Sequence, residues 1–305
     1  MHGLWQTLNL NQTCGQWHQR VMALDLQGYK LRGSISPYIS NLTFLRIINL
    51  WNNSFYGKIP HEVGHLFWLQ ELRLNNNTLE GEVPLILSNC SNAIIINFNW
   101  NKLHGKILAE LGSLKKLELL QLGVNNLTGR IPSFGNLSSI RILSLAGTKL
   151  VGNIPYRIGH QKGFVFFTIT KIKLTSSTIP SSLYNISSLQ IFLISENQLK
   201  DTLLANIGLP LPNLKLLLVG GNELSGPVPI SLCNASQLQR LDLSVNNFLG
   251  LVPTNLGHLL DLQWLDLSNN CLGRSLDFLK SMSNCSKLDK LVLNTIWRCF
   301  AQTCR

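Results

Sequence analysis

The stretch LRIINLWNNSFYGKIP, residues 45–60, is apolar at its first, fourth and sixth positions, with Asn at the ninth, Gly at the thirteenth and Pro at the sixteenth. LKLLLVGGNELSGPVP, residues 214–229, keeps the same order. In steps of about 24 residues the chain holds eleven such repeats in register, starting at 21, 45, 69, 93, 117, 140, 164, 189, 214, 238 and 262. A twelfth opens at 288 and fails after Asn294. Eleven matches in one register do not arise by chance. A repeat of this size cannot bury its own apolar face, so neighbours must stack into a solenoid.

Each position has a physical role. Residues 1, 4 and 6, such as Leu238, Leu241 and Leu243, point inward and build a continuous core. Their alternation is a strand signal, so successive repeats form a parallel sheet with strands about 4.8 Å apart. Position 9 is Asn53, Asn77, Asn101, Asn125, Asn197, Asn222, Asn246 and Asn270 in eight repeats. A buried amide needs partners, and stacked Asn side chains can bridge the backbones of adjacent turns as a ladder. Gly at position 13, as at Gly57 and Gly226, suits a positive φ. Pro at position 16, as at Pro60 and Pro229, ends a second extended segment. Tyr29, Thr148 and Ile172 replace the ladder Asn, and looser packing is expected across residues 163–180.

Composition agrees with a repeat. The 305 residues include 61 Leu and 31 Asn, with 45% hydrophobic and 13% charged. That hydrophobicity excludes a disordered chain, and 23 Gly with 11 Pro exclude a long coiled coil. No apolar run approaches the roughly 18 residues of a membrane-spanning helix. The net charge of +11 is scattered, without a basic run or an aromatic-interleaved basic stripe, so nucleic acid is not an expected partner. Diffuse positive charge fits weak attraction to an anionic surface.

The periodic pattern is the leucine-rich-repeat signature, and its L-x-G-x-I-P element resembles the plant-specific class. Ile35-Ser36-Pro37 followed by Asn41-Leu42-Thr43-Phe44-Leu45-Arg46 resembles the opening of plant immune receptor kinase ectodomains. Residues 179–189 and 211–214, with Asn89-Cys90-Ser91 and residues 284–288, are similar to phrases of the same family. The resemblance implies an α/β-type solenoid, a right-handed superhelix with a parallel concave sheet and short 3-10 or irregular convex segments. It implies a non-catalytic recognition module for a peptide or protein ligand, with a co-receptor as a further partner. In the family such a module is joined to a membrane span and a cytoplasmic Ser/Thr kinase, at the extracellular face of the plasma membrane. A secreted inhibitor of a cell-wall-degrading enzyme, resembling plant polygalacturonase inhibitors and placed in the apoplast, is the alternative.

The organisation expected is a remnant N-terminal cap over 1–20, the array over 21–294 and a divergent tail over 295–305. Residues 1–12 show no apolar leader segment, and Cys14 resembles a cap cysteine without its partner. No kinase motif is present, so the expectation is an internal fragment, a truncated paralogue or a mis-spliced gene product.

Candidate chemistry is sparse. His61-Glu62-Val63-Gly64-His65 fits H-E-x-x-H, which on a helix offers two imidazoles to zinc, but the equivalent segments of other repeats read alike and no third ligand is evident. No metal or cofactor is expected. Seven cysteines at wide spacing do not form a disulfide framework, and Cys299 with Cys304 is a weak terminal pair. Sequons at Asn41, Asn52, Asn76, Asn89, Asn126, Asn136, Asn185, Asn234 and Asn284, and a tenth at Asn11, are candidate glycosylation sites. Positions 3, 5, 7 and 8 are read as exposed strand positions. Those selected as ligand contacts on the concave face are Trp51, Arg73, Asn75, Asn99, Trp100, Gln121, Arg240, Asp242, Trp264 and Asp266. Outward Trp side chains mark binding hot spots, although cross-strand packing explains them equally well. Asp242 and Asp266 should stack in neighbouring repeats as a solvated acidic pair beside Arg240.

Overall fold

The computed structural model describes residues 14–15, 18–134, 136–175 and 178–297, with side chains from residue 20 onward. Asn11, Cys299 and Cys304 lie outside the described residues, as does the side chain of Cys14. The chain divides into two compact units, one of residues 1–127 with 136–139 and one of residues 128–135 with 140–305.

The N-terminal unit stacks the parallel strands Ala23–Asp25, Ile47–Asn49, Glu71–Arg73, Ile95–Asn97 and Leu119–Gln121. Their register advances by one repeat at each step: Ala23 faces Ile47, Ile47 faces Glu71, Glu71 faces Ile95, and Ile95 faces Leu119. A second small sheet joins Arg32–Ser34, Ser54–Lys58 and Thr78–Glu80. The C-terminal unit stacks Ile142–Ser144, Phe166–Thr168, Ile191–Leu193, Leu216–Leu218, Arg240–Asp242, Trp264–Asp266 and Lys290–Val292 in the same manner. Each strand is three residues long because only positions 3 to 5 are extended. Positions 1, 4 and 6 supply the core, and Leu238, Leu241 and Leu243 are fully buried.

Opposite the strands, most repeats make a five-residue 3-10 turn, as in His61–His65, Leu85–Asn89, Ile230–Asn234 and Thr254–His258. Pro60, Pro84, Pro229 and Pro253 cap the N-termini of these turns in extended conformation. The proline therefore opens the turn rather than closing a strand. Its carbonyl accepts the first bond, as from Val63 N to Pro60 O at 3.2 Å. The eleventh repeat departs from the expected short or irregular segment with an α-helix, Asp277–Met282. Asp277, the first residue of this helix, stands at the position that is Pro in most repeats.

The ladder amides interlock. Asn246 Nδ2 donates to Val219 O at 3.1 Å and to Leu243 O at 3.2 Å, while its Oδ1 accepts from Leu224 N at 3.0 Å. Asn222 also donates to Val219 O and Asn270 also to Leu243 O, so each of these carbonyls serves two successive ladder residues. Asn77, Asn101 and Asn125 bond in the same pattern in the N-terminal unit. Where Thr148 replaces Asn, its Oγ1 donates to Leu145 O of its own repeat.

Among its described residues, which leave out Ser176 and Ser177, the seventh repeat is not loosely packed. Phe164, Phe167, Ile169, Ile172 and Leu174 are all buried, and Phe167 contacts Phe164 and Phe192 with centroids 5.6 and 5.8 Å apart. Large rings fill the volume that Leu fills elsewhere. The defect is polar instead: Tyr184 Oη, and Asn197 Oδ1 of the next repeat, are buried without a hydrogen-bond partner among the described residues.

Candidate functional site

Position 8 is left-handed in repeat after repeat: Asn52, Asn76, Trp100, Val124, Lys171, Glu196, Val245 and Asn269 have φ between 50° and 59°. The reading of positions 7 and 8 as strand is thus corrected. The chain must turn sharply once the last inward Leu is placed, and the strand ends at position 5. Trp51 and Trp100 consequently project from the turn that follows the strand, and Trp264 alone of the three lies on a strand.

In the N-terminal unit, Trp51, Asn75, Asn76, Asn97, Asn99, Trp100 and Gln121 line one open groove of about 480 Å³. Trp51 and Trp100 are 44% and 62% exposed. Asn99 Oδ1 accepts from Gly123 N at 2.6 Å, and Asn97 Oδ1 accepts from Asn99 N at 3.1 Å, which fixes both amides. Asn76 Nδ2 donates to Asn52 Oδ1 at 2.6 Å. Arg73 does not line the groove. Its Nε pairs with Glu71 Oε2 at 2.9 Å on its own strand, which neutralises both charges.

In the C-terminal unit, Arg240, Trp264 and Lys290 follow one another in register across three strands. The Arg240 guanidinium lies 5.9 Å and the Lys290 ammonium 5.3 Å from the Trp264 ring centre, so the indole is flanked by cations on both sides. Such contacts contribute about 0.5–1 kcal/mol each when exposed. Trp264 Nε1 is buried and has no hydrogen-bond partner among the described residues. Asp242 and Asp266 are register partners, two residues along the same face. Each accepts from a serine two residues on, Ser244 or Ser268, through Oγ at 2.6 Å and backbone N at 2.9 Å. Burial raises the Asp242 carboxyl above its usual range; the Ser244 bonds oppose this and the Asp266 charge adds to it. Asp242 is therefore partly desolvated rather than freely solvated. Gly220 makes room for it, since a Cβ there would lie 2.7 Å from the Asp242 carboxylate oxygens.

Sequence reasoning missed Lys290, whose signal was present: it is position 3 of the twelfth repeat, which keeps its pattern as far as Asn294. The selected residues thus form two groups, six in the N-terminal unit and four in the C-terminal unit.

The H-E-x-x-H segment is a 3-10 turn, in which residues three apart eclipse, so imidazoles four apart do not converge. Their rings are 6.4 Å apart and nearly perpendicular, and no group of three or more His, Cys, Asp or Glu able to hold a metal occurs among the described residues. Cys90 and Cys285 are buried, their thiols 3.7 Å from Val63 O and 3.8 Å from Leu256 O. Burial pushes the Cys90 thiol up to about 11. The nine sequon asparagines between Asn41 and Asn284 are all exposed.

The Leucine Rich Repeat family model matches residues 44–66, 68–90, 237–259 and 261–285. Over 58 residues the chain is 57% identical to the LRR receptor-like serine/threonine-protein kinase EFR of Arabidopsis thaliana, covering 19% of this chain and 6% of that protein. The crystal structure of a TDR receptor superposes with a TM-score of 0.86 at 32% identity, covering 90% of this chain and 47% of that one. The Arabidopsis receptor kinase HAESA, solved with the peptide hormone IDA and the co-receptor SERK1, superposes with a TM-score of 0.78 at 25% identity, covering 90% and 50%. The chain carries leucine-rich repeats similar to those of plant receptor ectodomains, and it spans half or less of the length of these relatives. No helix among the described residues is long and apolar enough to cross a membrane.

Proposed function

We propose that this leucine-rich-repeat array is the ligand-recognising part of a plant cell-surface receptor of the receptor-kinase type, acting by binding and not by catalysis. The observation that carries the reading is the Trp264 patch. A half-buried indole with an unpartnered N–H stands between two cations that form no ion pair among the described residues. The core does not need these two charges, whereas a peptide or protein ligand bearing a carboxylate would pair them. The similar receptor kinase HAESA was solved with a peptide hormone and a co-receptor, which supports a ligand of peptide class and a second protein partner. Exposure of the nine sequons supports passage through the secretory pathway and display on the extracellular side of the plasma membrane.

The test is capture of peptides from plant extracellular fluid by immobilised chain, with Trp264→Ala and Tyr156→Ala in parallel. Tyr156 is 59% exposed on a 3-10 turn and serves as the control. A peptide retained by wild type and by Tyr156→Ala but lost with Trp264→Ala supports the reading. Equal retention by all three chains refutes it.

A further inference from the structure

We propose that the groove of the N-terminal unit is a subsite for a neutral oligosaccharide; this rests on the reading of the chain as a recognition module and names the ligand class for one of its faces. None of the seven groove residues carries an ionisable group: two are Trp and five are carboxamides. That is notable in a chain of net charge +11. The adjacent Arg73 is neutralised by Glu71, so no net charge stands beside the groove on that strand.

The chemistry of the lining selects the ligand. An indole face is apolar and electron-rich, and it packs against the C–H face of a pyranose ring. A carboxamide offers two donors and one acceptor, which suits a hydroxyl that must both give and receive. Asn75 and Gln121 make no side-chain hydrogen bond among the described residues, and Asn97 Nδ2 and Asn99 Nδ2 are likewise free of recorded partners. Asn97 and Asn99 are nonetheless held in orientation through their oxygens, so the donors are presented in fixed directions. The groove has no aliphatic pocket for a side-chain anchor and no cation for a carboxylate. Its volume of about 480 Å³ takes about two or three sugar rings.

Asn76 lines the groove and is itself in a sequon, with the Asn52 sequon bonded to it, so the chain's own N-glycan is a competing source of sugar. Ser54→Ala with Thr78→Ala removes both acceptor sequons and leaves Asn52 and Asn76 in place. The experiment titrates this sequon-free chain with neutral cello-, xylo- and chito-oligosaccharides, read by tryptophan fluorescence and by saturation-transfer NMR. The expected result is saturable binding of one class, weakened about tenfold or more by Trp51→Ala and by Trp100→Ala, and less by Trp51→Phe. Circular dichroism of each variant establishes that it is folded, and Gln121→Ala provides a second substitution that leaves both indoles intact. Binding unaffected by Trp51→Ala, Trp100→Ala and Gln121→Ala overturns the proposal. So does occupancy seen only when the sequons are intact, since the sugar is then the chain's own. If a peptide is captured through Trp264 but no oligosaccharide binds, the proposal falls and the recognition reading stands. If neither binds, both fall.

Discussion

Replacing Asn246 separates what a ladder amide donates from what it accepts. The side chain is 7% exposed. Asn246→Ala removes an amide whose two N–H groups are shared among Val219 O, Leu243 O and Ser244 O, and one acceptor, for Leu224 N. Val219 O and Leu243 O keep bonds from Asn222 and Asn270, so they are weakened and not orphaned. The Leu224 N–H loses this acceptor inside a buried turn. Two net bonds at about 1 kcal/mol each and one buried unsatisfied donor at about 1–3 kcal/mol give a loss of about 3–5 kcal/mol. Asn246→Asp has the same shape but a different charge. Ionised, it still accepts from Leu224 but turns a buried carboxylate against two carbonyl oxygens. That costs about as much as an unpaired buried charge, roughly 3–5 kcal/mol beyond the lost donors. Protonated, it can donate to one carbonyl and accept from Leu224, so it loses only about 1 kcal/mol.

The sign follows directly. The folded protein raises the pKa of the introduced carboxyl above its unfolded value, so stability is full below the unfolded pKa and falls as pH rises through the folded one. Urea unfolding followed by circular dichroism, each variant referred to wild type at the same pH, should show a crossover. N246D is the more stable of the two near about pH 4 and the less stable near about pH 7. Amide exchange at Leu224 should accelerate in N246A at both pH values. Parallel curves for the two variants across this range would refute the donor-to-two-carbonyls account of the ladder.

Tyr184→Phe should stabilise the C-terminal unit by about 1–2 kcal/mol, because the buried hydroxyl has no partner among the described residues; thermal or urea unfolding checks this. Asp242→Asn should keep the Ser244 bonds, since Oδ1 still accepts, while removing a carboxylate that burial and Asp266 disfavour. The gain is below about 1 kcal/mol, appears only above the usual carboxylate range and vanishes in acid, which a pH series of unfolding midpoints would show. Cys90 should resist alkylation in the native state near neutral pH, because burial holds its thiol protonated up to about 11, and should react once unfolded. Thiol stabilisation from this source is lost as pH rises between the ordinary value of 9.0 and about 11.

Much of the fold was legible because each repeat states the same constraint. Leu at positions 1, 4 and 6 must leave water together, and only stacked strands allow this at a 24-residue step. The errors arose where geometry depends on the connecting turn. Asn52, Trp100 and Val245 share position 8 but not a residue type, so no composition signal marks its left-handed φ. The α-helix Asp277–Met282 lies in a longer repeat, and its apolar pattern over six residues is too short to show a period. Phe164, Phe167 and Phe192 compensate for a broken ladder through contacts that a repeat consensus does not describe.

The sequence by itself determined the parallel stacking, the inward face and the register, because periodicity dictates which side chains share a core. Tertiary structure decided which polar groups remain without partners. It gathered Trp51, Trp100 and Gln121 into one uncharged groove and paired the neighbouring Arg73 with Glu71. It also set Trp264 between Arg240 and Lys290, from two other repeats. Those pairings depend on which side chains meet across neighbouring strands, at distances of a few ångströms, and a one-dimensional pattern does not carry that information.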